Sequence, residues 1–270
     1  MKRKETTKLY EDLIVIKVGT STLVDGESID GPTLDQHSFN HIGTQINTLI
    51  TEDTKVVLVS SGAIAAGYRY SREERTIEKR TAVEKQRLAC LGQGTLVQAW
   101  QQALAPRCIG QLLFTRHELE SPEGLELSAV TRCLLKYGDI PVANENDALS
   151  HEEITFGDND TLAARFAILL HASGIFERTR LVILSDIDGV YQNISDSNSV
   201  ISVIDDVDAY KHLAGSTGSV NGTGGMKSKF SAAKLVTENG IEMYVANGRA
   251  THVIERTLNR DIGTCFTAEN

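Results

Sequence analysis

Ile140-Pro141-Val142-Ala143-Asn144-Glu145-Asn146-Asp147 and, a little further on, Gly157-Asp158-Asn159-Asp160-Thr161-Leu162-Ala163-Ala164 are the two halves of the stretch that decides the fold. A short apolar run, of the kind buried in a sheet, breaks abruptly into four residues with side-chain oxygens. A second polar cluster then opens a helical pattern. Polar groups at the carboxyl end of a strand and the amino end of a helix are where an open α/β sheet places its ligands. Turn and N-cap chemistry also favours Asn, Asp and Gly, but one cap residue suffices for one helix and here two clusters flank it. Carboxylates and amides this close together repel or compete unless a cation or a donor-rich ligand satisfies them.

Working outward, residues 13–18 form a β-branched run suited to a strand buried on both faces, and it contains Lys17. A desolvated ammonium costs several kcal/mol without an anion, so Lys17 either snorkels from an edge strand or meets a negative partner. The Gly19-Thr20-Ser21 turn that follows offers N–H groups and hydroxyls, and with the lysine it suits phosphate. Residues 34–49 read as a helix and 55–59 as a second strand ending in Ser60-Ser61-Gly62 before a small-residue helix, where Ser61 serves either as a cap or as part of an anion site. The charged segment 69–85 reads as solvated surface that can carry helical content. A helix over 87–104 follows, in which Gly92 and Gly94 either weaken the helix or permit close packing. Strands are expected at 108–114, 140–143 and 181–184, with a helix over 125–137. This alternation indicates a parallel sheet covered on both faces. Polar residues after the first, second, fourth and fifth strands, the last being Ser185-Asp186, place one cleft along the carboxyl edge.

Gly222-Thr223-Gly224-Gly225-Met226-Lys227-Ser228-Lys229 precedes an amphipathic helix through Phe230, Ala233 and Val236. A glycine-rich turn at a helix start lets backbone approach phosphate, with Lys227 or Lys229 supplying charge; a flexible linker is the alternative. Met226 and Lys227 break the P-loop and dinucleotide fingerprints respectively. Closing strands are expected at 242–246 and 263–266.

The chain's 270 residues and 41% hydrophobic content support one large α/β domain or two small lobes. A formal charge of -9 argues against a nucleic-acid-binding face. No apolar run approaches the ~20 residues of a membrane span, and Glu5, Glu11 and Asp12 interrupt any signal-peptide core. A cytoplasmic protein that binds neither membrane nor nucleic acid is therefore expected. Cys90, Cys108, Cys133 and Cys265 lack the short spacing of zinc or redox motifs and read as buried thiols.

In chain order, Ile16-Lys17-Val18-Gly19-Thr20-Ser21 and residues 60–67, 141–148, 157–160, 185–191 and 222–229 resemble the motifs of the amino-acid kinase family. The resemblance spans nearly the whole chain and is closest to members that phosphorylate glutamate in proline biosynthesis. It implies a single domain over 1–270, a three-layer α/β/α sandwich with a mainly parallel central sheet. Within it, approximately 1–175 would form the glutamate-binding lobe and 176–270 the ATP-binding lobe. It further implies ATP and Mg²⁺ as cofactors, L-glutamate as substrate, a homo-oligomer, and functional coupling to the next enzyme of the pathway. By resemblance, Lys17 and Lys229 hold the transferring phosphoryl group and Asp160 positions them. Ser61, Gly62, Asn144, Asp147 and Asn159 form the glutamate site, with Asp158 in the same motif. Lys17, Gly19, Ser185, Asp186 and Thr223, Gly224, Gly225, Met226, Lys227, Ser228 and Lys229 form the nucleotide site. Ser185 stands where many members have threonine, and many members carry a further C-terminal RNA-binding-like domain that this sequence does not include. A glutamate γ-carboxylate, with an ordinary pKa of ~4.3, needs no general base at neutral pH. The alternatives are a sibling kinase acting on N-acetylglutamate, aspartate, carbamate or UMP, and a noncatalytic amino-acid or nucleotide sensor.

Overall fold

The computed structural model describes residues 9–25, 32–71, 77–149, 159–214 and 223–268. Eight strands form the main sheet: β1 (Tyr10–Val18), β2 (Thr54–Ser60), β3 (Ile109–Phe114), β4 (Ile140–Glu145), β5 (Phe176–Ser185), β6 (Val203–Ile204), β7 (Glu242–Asn247) and β8 (Thr264–Phe266). Their spatial order is β6-β8-β7-β5-β1-β2-β4-β3, and every pairing is parallel except β7 with β8. The chain order reverses around β1, which lies between β2 and β5. In an open parallel sheet that reversal opens a crevice at the carboxyl ends of the strands, and Lys17 lies one residue from the end of β1.

The main helices are α1 (Gln36–Leu49), α2 (Ala63–Tyr68), α3 (Ala82–Leu104), α4 (Glu123–Tyr137), α5 (Asn159–His171), α6 (Thr223–Thr237) and α7 (Val253–Leu258). Period-two alternation in the strands divides the core into two layers. Ile14, Ile16 and Val18 of β1 pack with Phe39, Ile42, Trp100 and Val253 under α1, α2, α3 and α7. Leu13 and Val15 point the other way, to Phe166, Phe230 and Leu135 under α4, α5 and α6. The result is the expected α/β/α sandwich. Lys17 shares the parity of Leu13 and Val15, so it rises on the face covered by α5 and α6.

Two contacts fix the end of β2. Trp100, wholly buried on α3, donates from Nε1 to Ser60 Oγ at 2.7 Å and meets Phe39 edge to face at 4.6 Å. Helices α2 and α3 touch backbone to backbone: a Cβ on Gly67 would lie 1.9 Å from Leu88 O, and one on Gly92 would lie 2.0 Å from Ala63 O. Of the two roles open to these glycines, Gly92 serves close packing, while Gly94 faces open space.

Three readings of the sequence need correction. Segment 69–85 is not simply solvated: Arg80 is buried, donates to Ser71 Oγ at 2.6 Å and sits over the Tyr68 ring. A capping box between Thr81 and Glu84 starts α3 at Ala82, ahead of the expected 87. Cys90, Cys108 and Cys133 are exposed and only Cys265 is buried, because the first three lie on outward faces or just ahead of the edge strand. Among the described residues no helix is long and apolar enough to cross a membrane.

We expect Gly92→Val to lower unfolding free energy by at least ~2 kcal/mol, since backbone must move to admit the side chain. Gly94→Ala should raise it by about 0.5–1 kcal/mol through helix propensity alone. Urea titration of the two variants measures both.

Candidate active site

The lysine read from β1 finds its anion at the start of α5. Lys17 Nζ lies 2.6 Å from Asp160 Oδ1, and both side chains are at least nine-tenths buried. From the other side Lys229, on the second turn of α6, places Nζ 3.2 Å from Asp160 Oδ2 and also donates to Gly225 O at 3.3 Å. Ser228 Oγ donates to the same Oδ2 at 3.0 Å. Burial alone would push the Asp160 carboxyl up, but the charges of Lys17 and Lys229 outweigh it and hold the group below the ordinary carboxylate range. Among the described residues the cluster is thus one carboxylate between two ammonium groups, with a net charge of +1 under very little solvent. Such an excess is best met by an anionic ligand. Two glycines border the cluster: a Cβ on Gly19 would stand in ordinary contact with Lys17 Nζ at 3.6 Å, and one on Gly225 with Lys229 Nζ at 3.9 Å. The N–H of Gly19 is already committed to Leu184 O at 3.0 Å, so that turn offers fewer free donors than its sequence implied.

Beside the cluster lies a cavity of about 250 Å³ lined by Thr20, Ser61, Gly62, Ala63, Asn144, Glu145, Asp147 and Asn159, with Ile64, Ala65 and Ile77 closing its apolar side. Gly62 precedes α2 with φ +110°, a conformation other residues rarely adopt, and Ser61 does not cap the helix. Instead Ser61 Oγ accepts from Asn159 Nδ2 at 2.9 Å. Asn159 Nδ2 also reaches Asn144 Oδ1 at 3.1 Å and Ser60 O at 3.3 Å, leaving Asn159 Oδ1 buried without a partner among the described residues. Asp147 is pushed up to about 7, first by burial and then by the negative charge of Glu145. A buried open acceptor and a carboxylate held near neutrality both call for a cationic donor.

At the end of β5, Ser185 Oγ donates to Asp186 Oδ1 at 3.0 Å. Gly224 and Gly225 fall inside the first turn of α6, which begins at Thr223 and not after the glycines. Met226 packs against the core and Lys227 is exposed, so Lys229 is the lysine drawn to Asp160. Asp158 lies outside the described residues.

The sequence model of the amino acid kinase family matches residues 12–247. The chain belongs to the amino acid kinase family. It is 42% identical over 266 residues to the glutamate 5-kinase of Clostridium acetobutylicum, covering 95% of each chain. It is 40% identical over 264 residues to the glutamate 5-kinase of Symbiobacterium thermophilum, covering 95% of this chain and 96% of that one. Among solved structures, a carbamate kinase from Giardia lamblia superposes with a TM-score of 0.65 at 14% identity, over 96% of this chain and 99% of the other. An isopentenyl phosphate kinase reaches 0.61 at 19%, over 94% and 100%. These distant likenesses show the shared sandwich fold of the family.

Within that family fold, Thr20, read from the sequence as part of a turn suited to phosphate, lines the cavity, and the sequence did not mark Ile77 or Gln93, whose Oε1 accepts from Asn144 Nδ2 at 3.0 Å. No local pattern singles out Gln93 on α3. Glu145 lay in the deciding stretch but received no role. We expect Asp160→Asn, which keeps the shape and removes the charge, to cost about 3–5 kcal/mol because two buried ammonium groups then face each other uncompensated. Chemical denaturation against wild type is the measurement.

Proposed function

We propose that this chain transfers the γ-phosphoryl group of ATP to the γ-carboxylate of L-glutamate, giving L-glutamyl 5-phosphate, the opening reaction of proline biosynthesis. The observation that carries the reading is Asp160 bridging Lys17 and Lys229 beside a cavity suited to an amino acid. The glutamate 5-kinases that it resembles over nearly its whole length support the choice of acceptor.

The chemistry follows from charge. The γ-carboxylate is already a nucleophile at neutral pH, so no proton need be removed. What opposes the reaction is repulsion between that carboxylate and the triphosphate, together with the need for in-line approach. Lys17 and Lys229 offset the charge that builds on the migrating phosphoryl group, and one such positioned donor is worth roughly 3–4 kcal/mol. Asp160, held ionised by both, organises the lysines and is not cast as a base. Asp147 and Asn159 Oδ1 receive the α-ammonium, and Ser61 with the Gly62 turn receives the α-carboxylate. Ser185, Asp186, Gly19 and residues 223–229 are assigned to ATP, with approximately 1–175 as the glutamate lobe and 176–270 as the nucleotide lobe. Mg²⁺ would be held chiefly by phosphate oxygens and water, because both Asp160 oxygens already face ammonium groups; bound there it supplies further charge neutralisation. We place the enzyme in the cytoplasm, as a homo-oligomer.

A turnover assay with ATP and free glutamate, N-acetylglutamate, aspartate or UMP, trapping acyl phosphate with hydroxylamine, tests the proposal. Hydroxamate from free glutamate is expected; turnover of another acceptor while glutamate stays inert overturns it. Lys229→Met should lower kcat at least ~100-fold with little change in glutamate KM, as for a group acting mainly in the transition state.

The Asp147 carboxyl supplies a pH dependence. Below about 7 it is largely neutral in the free protein and attracts an ammonium group poorly; above that it is an anion. kcat/KM for glutamate should therefore rise with pH up to about 7 and then level off, and Asp147→Asn should abolish this limb while raising glutamate KM. A pH-independent kcat/KM in wild type would remove Asp147 from the ammonium site.

A further inference from the structure

The polarity of the amide network in the cavity is set by backbone groups and anchored by one side chain that does not line it. The N–H of Glu145 donates to Asn144 Oδ1 at 2.9 Å, so the oxygen of that amide is on this side and its nitrogen on the other. Asn144 Nδ2 then donates to Gln93 Oε1 at 3.0 Å. The same Asn144 Oδ1, with Ser60 O, draws in Asn159 Nδ2 and so fixes the orientation of that amide, leaving Asn159 Oδ1 buried as an acceptor with no partner among the described residues. Gln93 stands on α3 next to Gly92, whose lack of a side chain presses α3 against the backbone of α2. The close crossing therefore fixes where the Gln93 side chain begins, and Gln93 is not among the residues lining the cavity.

We propose that Gln93 is a positioning residue: by holding Asn144 Nδ2 it keeps Asn144 Oδ1 on Asn159 and thereby aims Asn159 Oδ1 at the ligand's ammonium group. This rests on reading the cavity as an amino-acid site. Without Gln93, Asn144 carries a largely buried donor with no other acceptor among the described residues on that side, and the amide turns to find one. Asn159 then loses one of the three acceptors that fix its orientation. The consequence falls on amino-acid affinity and not on the lysine cluster, because no lysine of that cluster touches the network in any contact described above.

Gln93→Met removes the acceptor at nearly constant volume, and Gln93→Glu keeps an acceptor oxygen at the same reach. In ligand-free protein, exchange of the Asn159 side-chain amide hydrogens, followed by ¹⁵N NMR and identified by their loss in Asn159→Asp, should speed up at least ~10-fold in Gln93→Met and return to the slow rate in Gln93→Glu. Gln93→Met should also raise glutamate KM at least ~5-fold while ATP KM stays within about twofold. Unchanged Asn159 exchange overturns the proposal. So does an equal rise in both KM values, or a general speeding of backbone exchange in α3 and α5, which would show a structural role only. The exchange measurement needs no substrate: a response there alongside wild type inert toward glutamate supports the positioning role and removes the amino-acid reading instead.

Discussion

A single buried carboxylate holding two ammonium groups is the constraint on which the molecule depends. Lys17 comes from the middle of the sheet, Asp160 from the start of α5 and Lys229 from α6, so one electrostatic contact ties together the central strand and two helices of one layer. Neither lysine could be buried alone: several kcal/mol of desolvation opposes each, and only a shared, ionised Asp160 offsets it. The arrangement is not electrically closed, though. Among the described residues, one carboxylate for two cations leaves a positive charge over, at the carboxyl edge of a parallel sheet where its chain order reverses. A structure optimised only for stability would add a second acid or replace a lysine with an apolar residue. Retaining the excess makes sense where an anion comes and goes.

Much of this was legible in the sequence because violations of pattern are informative. A lysine inside a run of buried β-branched residues has few physical outlets, and the outlet found is a partner carboxylate from a polar cluster at a helix start. What stayed hidden depends on tertiary facing, which local composition averages away. The charged segment 69–85 masked a capping box at Thr81 and Glu84 and a buried Arg80, because a count of charges does not say which one folds inward. The cysteines were misread for a related reason: type gives a burial preference, whereas Cys90 and Cys133 sit on helix faces turned to solvent. Gly224 and Gly225 suggest a loop by propensity, yet they belong to the helix whose next turn carries Lys229. Gln93 is the extreme case, a surface-type residue on a long helix whose partner is fifty-one positions away.

Electrostatics also separates the two halves of the site. The lysine cluster is positive and nearly dry. Among the described residues the neighbouring cavity is lined by two carboxylates, Glu145 and Asp147, and by neutral amides and hydroxyls, with no lysine or arginine. On the proposed reading, a phosphate-bearing acceptor such as a nucleotide would find no cation among the described residues of that cavity, and an acylated amine would leave Asp147 and Asn159 Oδ1 unanswered. A free ammonium group answers both. The elevated Asp147 carboxyl is then the counterpart of the depressed Asp160 carboxyl: burial acts on both, and only the partners differ.

The two halves meet in consecutive residues. Asn159 belongs to the amide network of the cavity and Asp160 to the lysine cluster, and one trans peptide of ~3.8 Å between their Cα atoms joins them. On the proposed reading, the distance between the acceptor's anchor and the phosphoryl clamp is thus set by covalent geometry and the first turn of a single helix, not by the relative placement of two domains. In-line transfer tolerates little misplacement, and a rigid peptide unit at a helix start gives less play than any loop. That explains why the polar ends of β1, β2 and β4 converge on the amino end of α5. It also explains why a network that includes Gln93, Asn144 and Ser61 converges on Asn159: holding that side chain sets the acceptor's anchor, while Asp160 next to it holds the two lysines separately.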